Sequence, residues 1–156
     1  MVQLRWVFLA YRLPREPSTP RIAVWRKLRR LGVVQVVDGL VALPLDARTR
    51  EQLEWVADEV VEAGGESSLW IAEAASGRTE LDLETQMSAA VAAEYAMVIA
   101  VAGAAADGSM AHRRRTVARL RREMRRIRAR DFFHPPEADL AGAAVDGLAA
   151  VVEESA

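Results

Sequence analysis

The sequence predicts an α+β protein: a ferredoxin-like βαββαβ antiparallel sheet over residues 1–75, followed by a three-helix C-terminal extension over residues 76–156. Three observations carry this expectation. Short apolar runs at residues 4–13, 33–37, 40–43 and 67–74 alternate with two helical patterns in the order strand, helix, strand, strand, helix, strand. The dipeptide Asp38-Gly39 sits between the second and third runs, where a two-residue hairpin turn is needed. Beyond residue 75 the β-branched runs give way to alanine-rich segments with helical spacing, and one of these, residues 109–130, is dominated by arginine.

Each element has a local reason. Leu4 to Leu13 is large and apolar, too short for a helix with a polar face, and ends at Pro14, so it reads as a buried strand. In the turn that follows, Ser18 or Thr19 is placed to cap a helix with Pro20 at its first position. Ile22, Trp25, Leu28 and Leu31 then keep helical spacing as an inward face, and Gly32 stops the helix. Val33 to Val37 and Leu40 to Leu43 form the hairpin. Asp46 caps a second helix whose Leu53, Val56, Val60 and Val61 face inward until Gly64-Gly65, and Ser67 to Ala74 supplies the fourth strand.

The polar stretch SGRTELD is expected to separate the sheet from the helices, the first of which runs from Asp82 to Ala106. Ala89 to Ala106 is apolar, but Glu94 interrupts it and charges near a bilayer centre are costly, so a packed helix is expected rather than a membrane span. Asp107-Gly108 breaks the chain and Ser109 caps the arginine helix. Pro135-Pro136 closes it, and a last alanine-rich helix covers Glu137 to Val152.

Composition narrows the function. Of 156 residues, 51% are hydrophobic and 28% charged, which is the balance of a folded soluble domain. The absence of cysteine excludes disulfides, thiolate metal sites and thiol redox chemistry. The N-terminus lacks a small-residue cleavage site and is interrupted by Arg5 and Arg12, so a cytoplasmic protein is expected. Charge is strongly polarised. Residues 112–130 hold ten arginines against Glu123 alone, a local +9, while the rest of the chain, with eleven basic and twenty-one acidic residues, carries −10.

That helix is the first candidate site. Val117, Leu120, Met124 and Ile127 form one narrow apolar stripe, and arginine occupies most of what remains. Arg113, Arg114, Arg115, Arg119, Arg122 and Arg126 are the candidate nucleic-acid contacts, because guanidinium forks suit phosphate and each neutralised phosphate releases counterions. Acids such as Glu51, Glu54, Asp58 and Glu62 offer the competing possibility of a self-neutralised or dimer-forming face. The second candidate site, for an oxyanion, is Arg12, Arg15, Ser18, Thr19 and Arg21 at the start of the first helix. Its competitor is ordinary capping beside surface arginines.

Several dipeptides and short runs, in their order and spacing, resemble the N-terminal domain of the chromate-resistance regulator ChrB. They are Leu13-Pro14, Pro17-Ser18-Thr19-Pro20-Arg21, Trp25-Arg26-Lys27-Leu28, Leu31-Gly32, Asp38-Gly39, Leu43-Pro44, Glu94-Tyr95 and Asp131-Phe132-Phe133. The resemblance implies a transcriptional regulator of a chromate-efflux operon, hence DNA as partner and chromate or sulfate as ligand; a homodimer is also expected. More distantly, the first half is similar to the central domain of PaaX-type repressors and to small ferredoxin-like CRISPR-associated nucleases. Those nucleases carry a metal-binding Asp at the end of the first strand, where this chain has Ala10-Tyr11-Arg12. Metal-assisted hydrolysis needs such carboxylates. With no nucleophile elbow and no glycine-rich phosphate loop either, no enzymatic activity and no cofactor are expected.

Overall fold

The computed structural model describes residues 3–155 and divides the chain into two compact units, Met1–Gln86 and Met87–Ala156. In the first, strands β1 (Arg5–Arg12), β2 (Val34–Val37), β3 (Leu40–Pro44) and β4 (Glu66–Glu73) form one antiparallel sheet in the order β2-β3-β1-β4. Helices α1 (Thr19–Leu31) and α2 (Ala47–Glu62) complete the βαββαβ order, so the ferredoxin-like topology is realised with β1 central.

Strand alternation puts Val7 and Leu9 on the same face as Leu43 and Val41, their partners across β3. Val24 and Leu28 of α1, with Thr49, Leu53, Val56, Ala57 and Val60 of α2, are the buried residues of the two helices. Asp46 starts α2 with a reciprocal capping box: its carboxylate accepts from Thr49 N at 2.7 Å while Thr49 Oγ1 accepts from Asp46 N at 2.9 Å. The β2–β3 turn needs Gly39, whose φ of 77° lies in the left-handed region. Its carbonyl accepts from Tyr11 N at 2.8 Å, and a Cβ at this position would lie 2.7 Å from Tyr11 O, so the hairpin tip is seated against the end of β1.

Four details differ from the sequence-based expectation. Ile22 and Trp25 are 48% and 37% exposed, because they line an open cleft and the buried residues of α1 are Val24 and Leu28. Val61 is likewise exposed, the inward row of α2 being Leu53, Val56, Ala57 and Val60. Ser18 occupies the cap position of α1 with an αR backbone and makes no side-chain capping bond. The stretch SGRTELD is not a linker: α3 (Gly77–Ala105) begins within it, Ser76 Oγ accepting from Thr79 N at 3.2 Å. Glu80, nearly buried in this first turn, accepts from Leu4 N at 2.6 Å, which ties the start of α3 to the sheet unit.

The second unit comprises the rest of α3 with α4 (Met110–Ala129) and α5 (Pro136–Glu154). Val91, Tyr95, Val98, Ala102 and Ala105 of α3 meet Val117, Leu120, Met124 and Ile127 of α4 and Ala138, Ala141, Val145 and Leu148 of α5 in one core. Alanines contribute to this core from α3 and α5, and its largest side chain is Tyr95 of α3. By length and composition α3 also meets the requirements of a membrane span.

Candidate functional site

The apolar stripe read from the sequence is the buried face of α4, joined by Thr116, whose hydroxyl donates to His112 O at 2.9 Å. Ser109 caps the helix, accepting from His112 N at 3.2 Å. With the helix anchored on one side, the angular step of about 100° per residue distributes the arginines. Arg115, Arg119, Arg122 and Arg126, spaced i, i+4, i+7 and i+11, form a row opposite the buried stripe, and all four are exposed. The row is roughly 16 Å long at 1.5 Å rise per residue. Arg114, Arg121, Arg125 and Arg128 form a second exposed row; Arg121, Arg125 and Arg128 line a shallow groove with Gly142 and Asp146 of α5. Arg113 is set apart, half-buried with its Nη1 3.6 Å from Met110 Sδ.

Whether these charges are already neutralised decides what the helix can do. Among the described residues, the ion pairs made by the ten arginines are Arg126 with Glu123 at 3.4 Å, within the helix, and Arg130 with Glu94 of α3. Arg130 is the most buried partner of the two pairs, with its side chain 18% exposed, and serves packing. Glu54 pairs with Arg50 of its own helix at 3.1 Å. The exposed row therefore stays cationic, and the single exposed pair on it contributes only ~0–1 kcal/mol, too little to withhold Arg126 from phosphate.

A clasp at the C-terminal end of α4 holds that row in place. Tyr95 is fully buried, and its hydroxyl donates to Asp131 Oδ2 at 2.8 Å. Asp131 Oδ1 accepts from His134 N at 2.8 Å and from Phe133 N at 3.3 Å. These bonds fix the turn into α5, including His134 at φ 49°. Burial first, and then the bond to Asp131, pushes the Tyr95 phenol well above its ordinary value of 10.0. Glu94-Tyr95 and Asp131-Phe132-Phe133 lie 36 residues apart, and sequence inspection singled out both without showing that they bond each other. Only complementary chemistry, a tyrosine within the apolar part of α3 and a carboxylate in the turn after α4, signalled it.

The second candidate site takes shape at the β1 end of the sheet. A cleft of about 530 Å³ is lined by Tyr11, Arg12, Ser18, Arg21, Trp25 and Asp38, with Leu13, Ile22, Gln35 and Gly39. Three of the five oxyanion candidates, Arg12, Ser18 and Arg21, converge there, while Arg15 and Thr19 are exposed and do not line it. Arg12 also pairs with Glu66 at 2.9 Å, both side chains 78% exposed. Asp38 accepts from Gln35 Nε2 at 3.0 Å. Tyr11 is raised above its ordinary phenol value by burial and by Asp38, with Arg21 opposing. Tyr11, Trp25 and Asp38 also wall the cleft, although helical spacing puts Trp25 on the inward face of α1 and Asp38 reads as a turn residue alone.

Fold and site together define a ferredoxin-like α+β domain with a helical extension, presenting an arginine helix in one unit and an anion-compatible cleft in the other. The profile of the family described as Protein ChrB, N-terminal, matches residues 21–107, more than half of the chain. The chain belongs to this family, which is associated with chromate-resistance regulation. No curated protein and no solved structure matches it.

Proposed function

We propose that the protein acts as a cytoplasmic, homodimeric transcriptional regulator of chromate resistance that grips DNA through α4. The observation that carries this reading is the exposed cationic row Arg115, Arg119, Arg122 and Arg126, which lies opposite the buried face of α4 and of whose members, among the described residues, Arg126 alone is ion-paired, with Glu123. A rigid row of guanidinium groups on one helix face suits a phosphate backbone, and arginine adds bidentate contacts to guanine edges. Arg114 lies at the flank of the row, and Arg113 would have to leave Met110 to contribute. Self-association is supported by β4, an outer strand on which Trp70 and Ile71 are exposed.

The test is a retardation assay on the DNA upstream of the protein's own gene across a salt series. The wild-type complex weakens steeply as salt rises, and each of Arg115→Ala, Arg119→Ala and Arg122→Ala lowers the log–log salt slope by about 1. A complex that forms at low salt and is indifferent to the triple substitution would show that another surface holds the DNA.

A second reading, favoured by the convergence of Arg12, Ser18 and Arg21 on one cleft, is that the sheet unit senses an oxyanion such as chromate or sulfate. Two guanidinium groups beside a hydroxyl that is not engaged in capping give a tetrahedral anion its donors. Calorimetry with chromate and with sulfate should give heats that Arg21→Ala abolishes, and identical heats for the two proteins would remove the cleft from the mechanism.

A further inference from the structure

The cleft is built for more than an oxyanion. Its volume of about 530 Å³ falls within the ~300–1,000 Å³ of sites that take whole small molecules. A tetrahedral anion on Arg12, Ser18 and Arg21 would leave the rest of that space, and the walls made by Trp25, Ile22, Leu13 and Tyr11, without an occupant. Trp25 is the informative residue. It is the largest side chain on α1, yet it is left 37% exposed and turned to the cleft rather than placed among the core residues. An indole presented in this way is a stacking surface for a planar ring. Asp38 carries the opposite instruction from the arginines, because a carboxylate on the same wall repels a second anion and accepts from hydroxyl or amine donors.

Anion donors, an aromatic platform and a carboxylate in one cleft point to a ligand with three matching parts. We propose that the cleft binds a nucleoside monophosphate: phosphate at Arg12, Arg21 and the Ser18 hydroxyl, base against Trp25, and ribose hydroxyls donating to Asp38. The ring and sugar contacts deepen the anion-binding reading of the cleft and rest on it. The exposed Arg12–Glu66 pair is weak enough for a phosphate to take over Arg12. Tyr11, held by its backbone bond to Gly39 O at 2.8 Å, keeps the Asp38 turn fixed against β1, so the carboxylate is set by the sheet while Arg21 and Trp25 are set by α1.

The experiment is titration calorimetry of the full chain with adenosine 5′-monophosphate, adenosine and inorganic phosphate in turn. Adenosine 5′-monophosphate is expected to bind at least about tenfold tighter than either fragment, the gain typical of one stacked base. Trp25→Ala should bring its affinity down to that of phosphate, whereas Trp25→Phe retains most of the difference. Arg21→Gln should remove both the nucleotide and the phosphate heats. Equal affinities for nucleotide and phosphate in the wild-type protein would overturn the nucleotide assignment and leave the oxyanion reading standing. Absence of heat with all three would overturn the nucleotide assignment, and with no heat from chromate or sulfate either the oxyanion reading falls as well. The comparison of the three probes on unmodified protein decides the question even if Trp25→Ala fails to fold.

Discussion

Replacing Tyr95 with phenylalanine removes one oxygen atom from the centre of the helical unit and leaves the ring. Tyr95 is fully buried, and its hydroxyl donates at 2.8 Å to Asp131, whose side chain is 3% exposed. The lost bond is one to a carboxylate, for which ~1.5–3 kcal/mol is the usual contribution. Because the ring remains, no cavity larger than the oxygen is added, so the estimate is not inflated by repacking. For a chain of this size each kcal/mol corresponds to about 2–4 °C, giving a melting-point decrease of roughly 3–12 °C. A double-mutant cycle of Tyr95→Phe with Asp131→Asn, measured by urea unfolding, isolates the pair and should give a coupling of ~1 kcal/mol or more. The same bond predicts a pH response. The phenol's folded value lies above its ordinary 10.0, so the stabilisation is complete below pH 10. It is lost as pH rises from 10 through the folded value, since the unfolded chain there has released a proton that the folded chain retains. Wild-type protein should therefore lose stability above pH 10 more steeply than Tyr95→Phe. A coupling under ~0.3 kcal/mol, with parallel alkaline profiles, would refute the clasp.

Two further substitutions probe how the sheet unit holds its cleft. Gly39→Ala forces a side chain into a left-handed φ of 77° with its Cβ 2.7 Å from Tyr11 O, and should cost at least ~1–3 kcal/mol by urea unfolding, with loss of ligand heat at the cleft. Asp46→Ala removes the capping box of α2 and should cost ~0.5–2 kcal/mol while leaving the cleft heats unchanged, since Asp46 is at the other end of β3.

The elements that sequence inspection recovered are those specified by neighbours a few residues away. The Asp38-Gly39 turn, the Asp46 and Ser109 caps and the Val117–Ile127 stripe each depend on spacings of one to four residues, and each is found in the folded chain. The arginine row follows from the same periodicity, because fixing the buried stripe of α4 fixes what lies opposite it. Errors collected where local rules conflict with the surroundings. Ile22 and Trp25 have the spacing of an inward face, but they line an open cleft instead. SGRTELD is polar enough for a loop, yet Ser76 and the buried Glu80 recruit it into α3.

The order of strands and helices, the charge imbalance and the cationic face of α4 were thus readable from the chain alone, since hydrogen-bonded periodicity and side-chain type are properties of short stretches. The walls that Tyr11, Trp25 and Asp38 add to the cleft of Arg12, Ser18 and Arg21, and the bond between Tyr95 and Asp131, came into view only with the fold. The first brings together β1, α1 and the β2–β3 turn and the second joins residues 36 positions apart, and such meetings are set by how helices pack on a sheet and on each other, which no local pattern encodes.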